Sequence, residues 1–235
     1  IIPLVIDLHC HILPGVDDGP RDVDEALAVA RLAVADGTQV IAATPHVDDT
    51  YKYPDPDLIR ALTARFNERL RAEKIPLQVL PGAEVRVGPD LLEKLQSGQI
   101  MTLGDRGKHV LLELPTSSHA LYAGELFFRL QLAGYIPVLA HVERVALFRS
   151  QPGLLRDFHD RGCLLQVNAE SLSGRGGWTR RRYTQKLLRE GLIDIVASDG
   201  HNTNDRKPLL SIAKKALNAE FERLTDQTPR QILQL

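Results

Sequence analysis

Cysteine is scarce: Cys10 and Cys163 are the only two in 235 residues. Two cannot build a disulfide framework, and such sparse use suits a reducing cytoplasm. Charge of one sign is also lacking. Lys plus Arg number 29 and Asp plus Glu 30, a formal net charge of -1, so capture of nucleic acid by bulk electrostatics is excluded. No apolar run approaches the ~18–20 residues of a spanning helix, so no membrane insertion is expected. The N-terminal IIPLVI is too short for a signal-peptide core, lacks a basic lead and runs directly into Asp7 and His9. The chain opens on Ile1 rather than Met, as a processed or truncated start would. No internal repeat, low-complexity segment or Pro/Gly/Ser linker divides it. Residues 1–235 therefore read as one domain, expected in the cytoplasm.

What is present alternates short apolar runs with longer amphipathic ones. Strands are predicted at 4–9, 39–44, 77–82, 109–114, 136–140, 164–168 and 194–198, nearly continuous in Val, Ile and Leu, as strands buried on both faces should be. Helices are predicted at 22–36, with Asp22 or Asp24 as cap and Gly37 as stop, and at 56–73, 119–133, 153–161, 179–190 and 207–224, with a shorter one near Asp90. Such alternation implies a parallel sheet with helices outside, closed as a barrel or open and doubly wound. The first strand-to-helix turn, HCHILPGVDDGP, carries neither G-x-G-x-x-G nor a Walker A pattern, which counts against a nucleotide-binding open sheet.

Polar residues recur at the strand ends: His9 and His11, then Thr44, Pro45 and His46, then Gly82, Ala83 and Glu84, then Glu113, His141, Asn168, and finally Asp199 and His201. In a parallel barrel these ends share one rim. Histidine and carboxylate without thiolate is the ligand set of Zn, Mn or Fe. His9 and His11 are two apart and share a strand face, while Cys10 points the other way and reads as a small buried apolar residue. His109 starts a strand on the opposite rim; it, His119 and His159 read as structural histidines.

In order, DLHCHILPGVDDGP, TPH, PGAE, LLELP, LAHVER and ASDGH resemble the PHP (polymerase and histidinol phosphatase) superfamily, and within it the bacterial protein-tyrosine phosphatases of the CpsB and YwqE kind from capsule and exopolysaccharide systems. The resemblance spans nearly the whole chain. It implies a distorted TIM-like (β/α)7 barrel with three divalent metal ions at the C-terminal ends of the strands, manganese first, with iron, cobalt or zinc as alternatives. One ion would take His9, His11, Glu84 and Asp199. A second would share Glu84 and add Glu113 and His141, and a third would take Asp18, His46 and His201. Asp18 rather than Asp17 matches the family position in V-D-D-G-P. Arg144 and Arg206 match positions that hold phosphate, where a planar guanidinium can make paired bonds.

The implied activity is phosphomonoester hydrolysis on a phosphotyrosine protein, the tail of a bacterial tyrosine kinase, with a metal-bridging hydroxide as nucleophile. Three divalent cations against four carboxylates leave a surplus of about +2, suited to a phosphate dianion. Asp199 or a water on a metal is a candidate to assist the leaving phenol. Neither cysteine is followed by Arg six residues later, so the phosphate loop of cysteine-dependent tyrosine phosphatases is absent. The alternatives are a small-molecule phosphatase of the histidinol-phosphate type, a metal-dependent nuclease and a non-catalytic metal-binding module. Two segments depart from the family pattern. VDDTYKYPDPD after His46 is a candidate wall of the substrate mouth. SGRGGWTRRRYTQ, with Arg175, Arg180, Arg181 and Arg182, reads as a solvated loop and helix start, with docking of an acidic or phosphorylated tail as the alternative.

Overall fold

The computed structural model describes residues 4–48, 50–51, 54–114 and 123–235. In chain order the strands are β1 (Ile6–Cys10), β2 (Val40–Ala43), β3 (His46–Val47), β4 (Gln78–Leu80), β5 (Glu84–Arg86), β6 (His109–Glu113), β7 (Ile136–Leu139), β8 (Leu164–Asn168) and β9 (Ile195–Ala197). Between them lie α1 (Val23–Asp36), α2 (Pro56–Ala72), α3 (Leu91–Gln96), α4 (Ala123–Leu132), α5 (Ala146–Ser150), α6 (Pro152–Asp160), α7 (Ala169–Ser173) and α8 (Trp178–Arg189). All the strand pairings are parallel, in the orders β1-β2-β4 and β3-β5-β6-β7-β8-β9. The ends of the sheet curl together. His11 N donates to Gly200 O at 2.8 Å and Asp199 N to His9 O at 2.8 Å.

All seven expected strands appear near their expected limits, but two run on in broken form. Pro45 separates β2 from β3, and Pro81 separates β4 from β5. A proline has no N–H to give the ladder, so pairing lapses there and resumes one step on. The ladder resumes through Glu84 N, which donates to Pro45 O at 3.0 Å. These breaks place His46 and Glu84 at the starts of two short strands that pair with each other.

Helix α1 starts where Asp22 accepts from the N–H groups of Asp24 and Glu25, and stops at Gly37, whose φ is 104°. The expected helix 207–224 is corrected. That segment breaks into a 3-10 turn at Ser211–Ala213, α9 (Lys214–Leu217) and α10 (Glu220–Glu222), followed by a wide turn at Arg223–Gln227 and α11 (Thr228–Leu233). Asn218 interrupts it with φ at 50°. His119 and the start of the helix expected at 119–133 fall outside the described residues. Among the described residues no helix is long and apolar enough to cross a membrane.

Two apolar clusters hold the layers. One fills the space between sheet and helices, with Ala30, Ile59, Phe66, Phe127 and Phe148, and includes Cys10 as expected. The other lines the concave face with Ile6, Leu8, Val40, Leu111, Val138 and Ile195, closed beneath by Ile232 and Leu233 of α11. A register shift between Asp7 and Cys10 in β1 lets Leu8 join the inner cluster while His9 and His11 still reach the site.

Candidate metal centre

The strand ends bring the expected residues into one polar cluster above the inner apolar layer. Glu84 is its hub. Its Oε2 lies 3.3 Å from His9 Nε2, 3.3 Å from His11 Nε2 and 3.1 Å from His46 Nδ1, and its Oε1 lies 2.9 Å from His141 Nε2. Asp199 Oδ1 closes the other side, 3.5 Å from His9 Nε2 and 3.6 Å from His11 Nε2. Asp18 Oδ1 faces His201 Nε2 at 3.2 Å and His46 Nε2 at 3.6 Å. Three groups have ligand atoms within 4.8 Å of one another: His11, Asp18, His46 and His201; His9, His11 and Glu84; and Glu84, Glu113 and His141.

Local backbone devices build this rim. A Cβ on Gly19 would sit 2.3 Å from His11 O, so only glycine lets the V-D-D-G-P turn close onto β1 and present Asp17 and Asp18. Asp17 turns inward behind the cluster. Its Oδ2 lies 2.6 Å from His11 Nδ1 and accepts from His46 N at 3.0 Å. Asp17 thus orients His11, while Asp18 faces the imidazoles His46 and His201. His141 and Asp199 both adopt positive φ, 33° and 55°, a costly backbone for non-glycine residues and one found where a site imposes it.

The donor set fits divalent cations. Glu84 Oε2 and His201 Nε2 are buried and make no properly aligned hydrogen bond, although other ring nitrogens and carboxylates stand close by. His9 Nε2 and His11 Nε2 lie 3.2 Å apart, an arrangement that suits two lone pairs aimed at a shared cation. The electrostatics agree. Burial alone would push Glu84 and Asp199 up, but the facing histidines hold both below the usual carboxylate range. Burial would push His11 down, yet Asp17 and Glu84 raise it to about 10, and Glu84 and Asp199 likewise raise His9. The cluster therefore favours positive charge at its centre.

Both expected arginines reach it. Arg144 Nη1 donates to Asp199 Oδ2 at 2.8 Å. Arg206 donates from Nη2 to Asp199 Oδ1 at 3.1 Å and from Nη1 to Asp18 Oδ2 at 2.9 Å. Tyr51, in the expected mouth segment, stacks on His46 with centroids 5.4 Å apart. Residues 49, 52 and 53 of that segment lie outside the described residues. His109 sits at the start of β6, away from the cluster, and His159 Nε2 lies 3.4 Å from Asp194, consistent with structural roles.

Three orienting residues escaped the sequence reading. Gln166 is fully buried. Its Oε1 lies 3.3 Å from His9 Nδ1 and accepts from His141 N at 2.7 Å, while its Nε2 donates to Asn168 Oδ1 at 2.9 Å. Asn168 passes the chain on, donating to Asp199 Oδ2 at 2.9 Å. Asp7, pushed up to about 6 by burial, accepts from the N–H of Ser198 at 3.0 Å and from the Ser198 hydroxyl. Glu143, also fully buried, accepts from Asn168 N and Ser171 Oγ. Polar residues inside otherwise apolar strands, as in LLQVN, were the available signal.

The sequence matches the family described as capsular polysaccharide synthesis, CpsB/CapC, over residues 5–234. It is 39% identical over 217 residues to the tyrosine-protein phosphatase YwqE of Bacillus subtilis (strain 168), covering 92% of this chain and 85% of that one. It is 29% identical to the tyrosine-protein phosphatase CpsB of Streptococcus pneumoniae, covering 97% and 98%. A solved structure from a study of YwqE from Bacillus subtilis and CpsB from Streptococcus pneumoniae, described as unique metal-dependent tyrosine phosphatases, superposes with TM-score 0.89. Its identity is 38%, over 97% of this chain and 91% of that one. Dihydropyrimidinase from Brevibacillus agri NCHU1002, at TM-score 0.58 and 12% identity over 97% of this chain and 70% of its own, shares the fold alone. This chain belongs to the CpsB/CapC family.

Proposed function

We propose that this protein is a metal-dependent protein-tyrosine phosphatase of capsule or exopolysaccharide biosynthesis, acting in the cytoplasm on the phosphotyrosine tail of a bacterial tyrosine kinase. The observation that carries the reading is the Glu84-centred cluster, with two arginines on its open side, in a chain of this family. Residues 1–235 form one domain, a distorted (β/α)7 barrel in which β2 with β3, and β4 with β5, each count as one broken stave. The hydrogen bonds between the ends of β1 and β9 support closure.

His9, His11, Asp18, His46, Glu84, Glu113, His141, Asp199 and His201 would hold three divalent ions, manganese first. Bound divalent cations supply Lewis acidity and make hydroxide available near neutral pH. The chain's own residues do the rest. Arg144 and Arg206 present guanidinium donors toward solvent and hold the oxygens of an incoming phosphoryl group. Asp199 fixes both arginines, and the histidines facing it hold its pKa down, which suits a ligand and orienting group. A phenol leaves with a pKa near ~10, so tyrosine departs with less protonation than an alkyl alcohol needs. Cys10 and Cys163 are buried, and burial pushes the Cys163 thiol up to about 12 and raises the Cys10 thiol well above its ordinary range, so neither supplies a thiolate.

The test offers manganese-loaded protein phosphotyrosine peptides, histidinol phosphate and single-stranded DNA in parallel. The expected result is a preference for the phosphotyrosine peptides. Faster turnover of either other substrate contradicts the reading.

A further inference from the structure

The basic segment after β8 does not behave as one solvated face. Arg181 and Arg182 are exposed, but Arg180 is half-buried and turns toward the site. Together with Arg144 and Arg206 it lines a cavity of about 120 Å³ that reaches Asp199. This cavity shares Glu170, Ser198 and Arg206 with a larger one of about 520 Å³, to which Arg175 and Lys207 contribute. The two cavities therefore adjoin beside the metal cluster, with Arg180 of α8 on the wall of the smaller one.

Their charges are unevenly matched. Arg144 and Arg206 are already paired with Asp199 and Asp18. Among the described residues, Arg180, Arg175 and Lys207 meet no carboxylate at ion-pair distance. Glu170 and Asp205 also line the two cavities, so cations exceed acids along them. Arg180 packs over Gly176, where a Cβ would stand 2.9 Å from its Nη1 and 3.4 Å from Glu170 Oε1. Helix stability does not explain the residue choice, because α8 carries no acid in its first turn and three arginines near its start, where cations are disfavoured.

We propose that Arg180, supported by Arg175 and Lys207, forms an anion subsite beside the reacting phosphate, which takes an anionic side chain flanking the phosphotyrosine in the same peptide. The inference rests on the phosphatase reading for its substrate. The occupant is a carboxylate or a second phosphoryl group, both of which match a guanidinium fork.

Occupancy without turnover is read by isothermal titration calorimetry. Metal-loaded protein is titrated with peptides whose phosphotyrosine is replaced by a non-hydrolysable phosphonate. The flanking residues are asparagine, aspartate or a second phosphonate, and turnover of the matching phosphopeptides is measured alongside. The parent should bind an anion-flanked peptide roughly fivefold tighter than the neutral one. The better of the two anionic peptides names the source. R180Q should bring the ratio near one, and R180E should reverse it. A parent without preference overturns the proposal, as does R180Q that keeps the preference or weakens all peptides equally. Binding preference without turnover would instead sink the phosphatase reading and leave the subsite standing.

Discussion

At the scale of single residues, Gln166 ties the centre together. One buried amide holds the His9 ring, the His141 backbone and, through Asn168, the Asp199 carboxylate. A hydrogen bond to the far nitrogen of a metal-binding imidazole fixes its tautomer and aim. Gln166→Leu should keep the fold and lower metal affinity roughly 10–100-fold, measured by competition with a chelator. Unchanged affinity would remove Gln166 from the centre. Eight of the nine candidate ligands were legible because each stands at or just past the end of an apolar run, whereas Asp18, in the V-D-D-G-P turn, came from the family resemblance alone. H-x-H and D-G-H set their own spacing, and strand ends gave the common rim. Gln166, Asp7 and Glu143 were not legible, because a lone polar residue in or beside a strand looks the same whether it orients a ligand or faces solvent. Only the fold brings His9 and Gln166, far apart in sequence, within 3.3 Å.

At the scale of elements, the apolar runs located all seven expected strands, since parallel strands buried on both faces leave long unbroken signals. The runs did not show that Pro45 and Pro81 split two of them, because ladder breaks depend on which neighbour needs the missing N–H. Nor did periodicity reveal the turn at Asn218, where tertiary packing overrides a helical pattern. One contact between elements was invisible for the same reason. Asn67 on α2 acts as an extra strand residue. Its Nδ2 donates to Val79 O at 2.8 Å and its Oδ1 accepts from Val79 N at 3.0 Å. Asn67→Ala leaves both groups of a buried residue unpaired and should cost roughly 2–4 kcal/mol in urea unfolding. Metal content should not change. A cost within the error of the measurement would mean that water replaces the amide.

At the scale of the whole molecule, stability depends on pH through groups far from the centre as well. His109 is buried at the start of β6, and its pKa is lowered to about 4 by burial first and Lys108 second. At pH 7 it is neutral both folded and unfolded. As pH falls from about 6.5 to about 4, the unfolded chain binds a proton that the folded one refuses, so stability is lost across that window and levels off below it. His109→Leu should remove a slope worth up to about 3 kcal/mol from the stability profile, relative to the parent. Identical profiles would contradict this.

The central claim is that turnover belongs to cations held by the Glu84 cluster. It is tested most directly by stripping the protein with a chelator, restoring Mn2+ in steps, and measuring bound metal and phosphotyrosine hydrolysis on the same samples. The account predicts no turnover in the stripped protein, recovery only as the sites fill toward about three ions per chain, and low occupancy in His141→Ala. Full turnover by protein holding less than about a tenth of an ion per chain would contradict it.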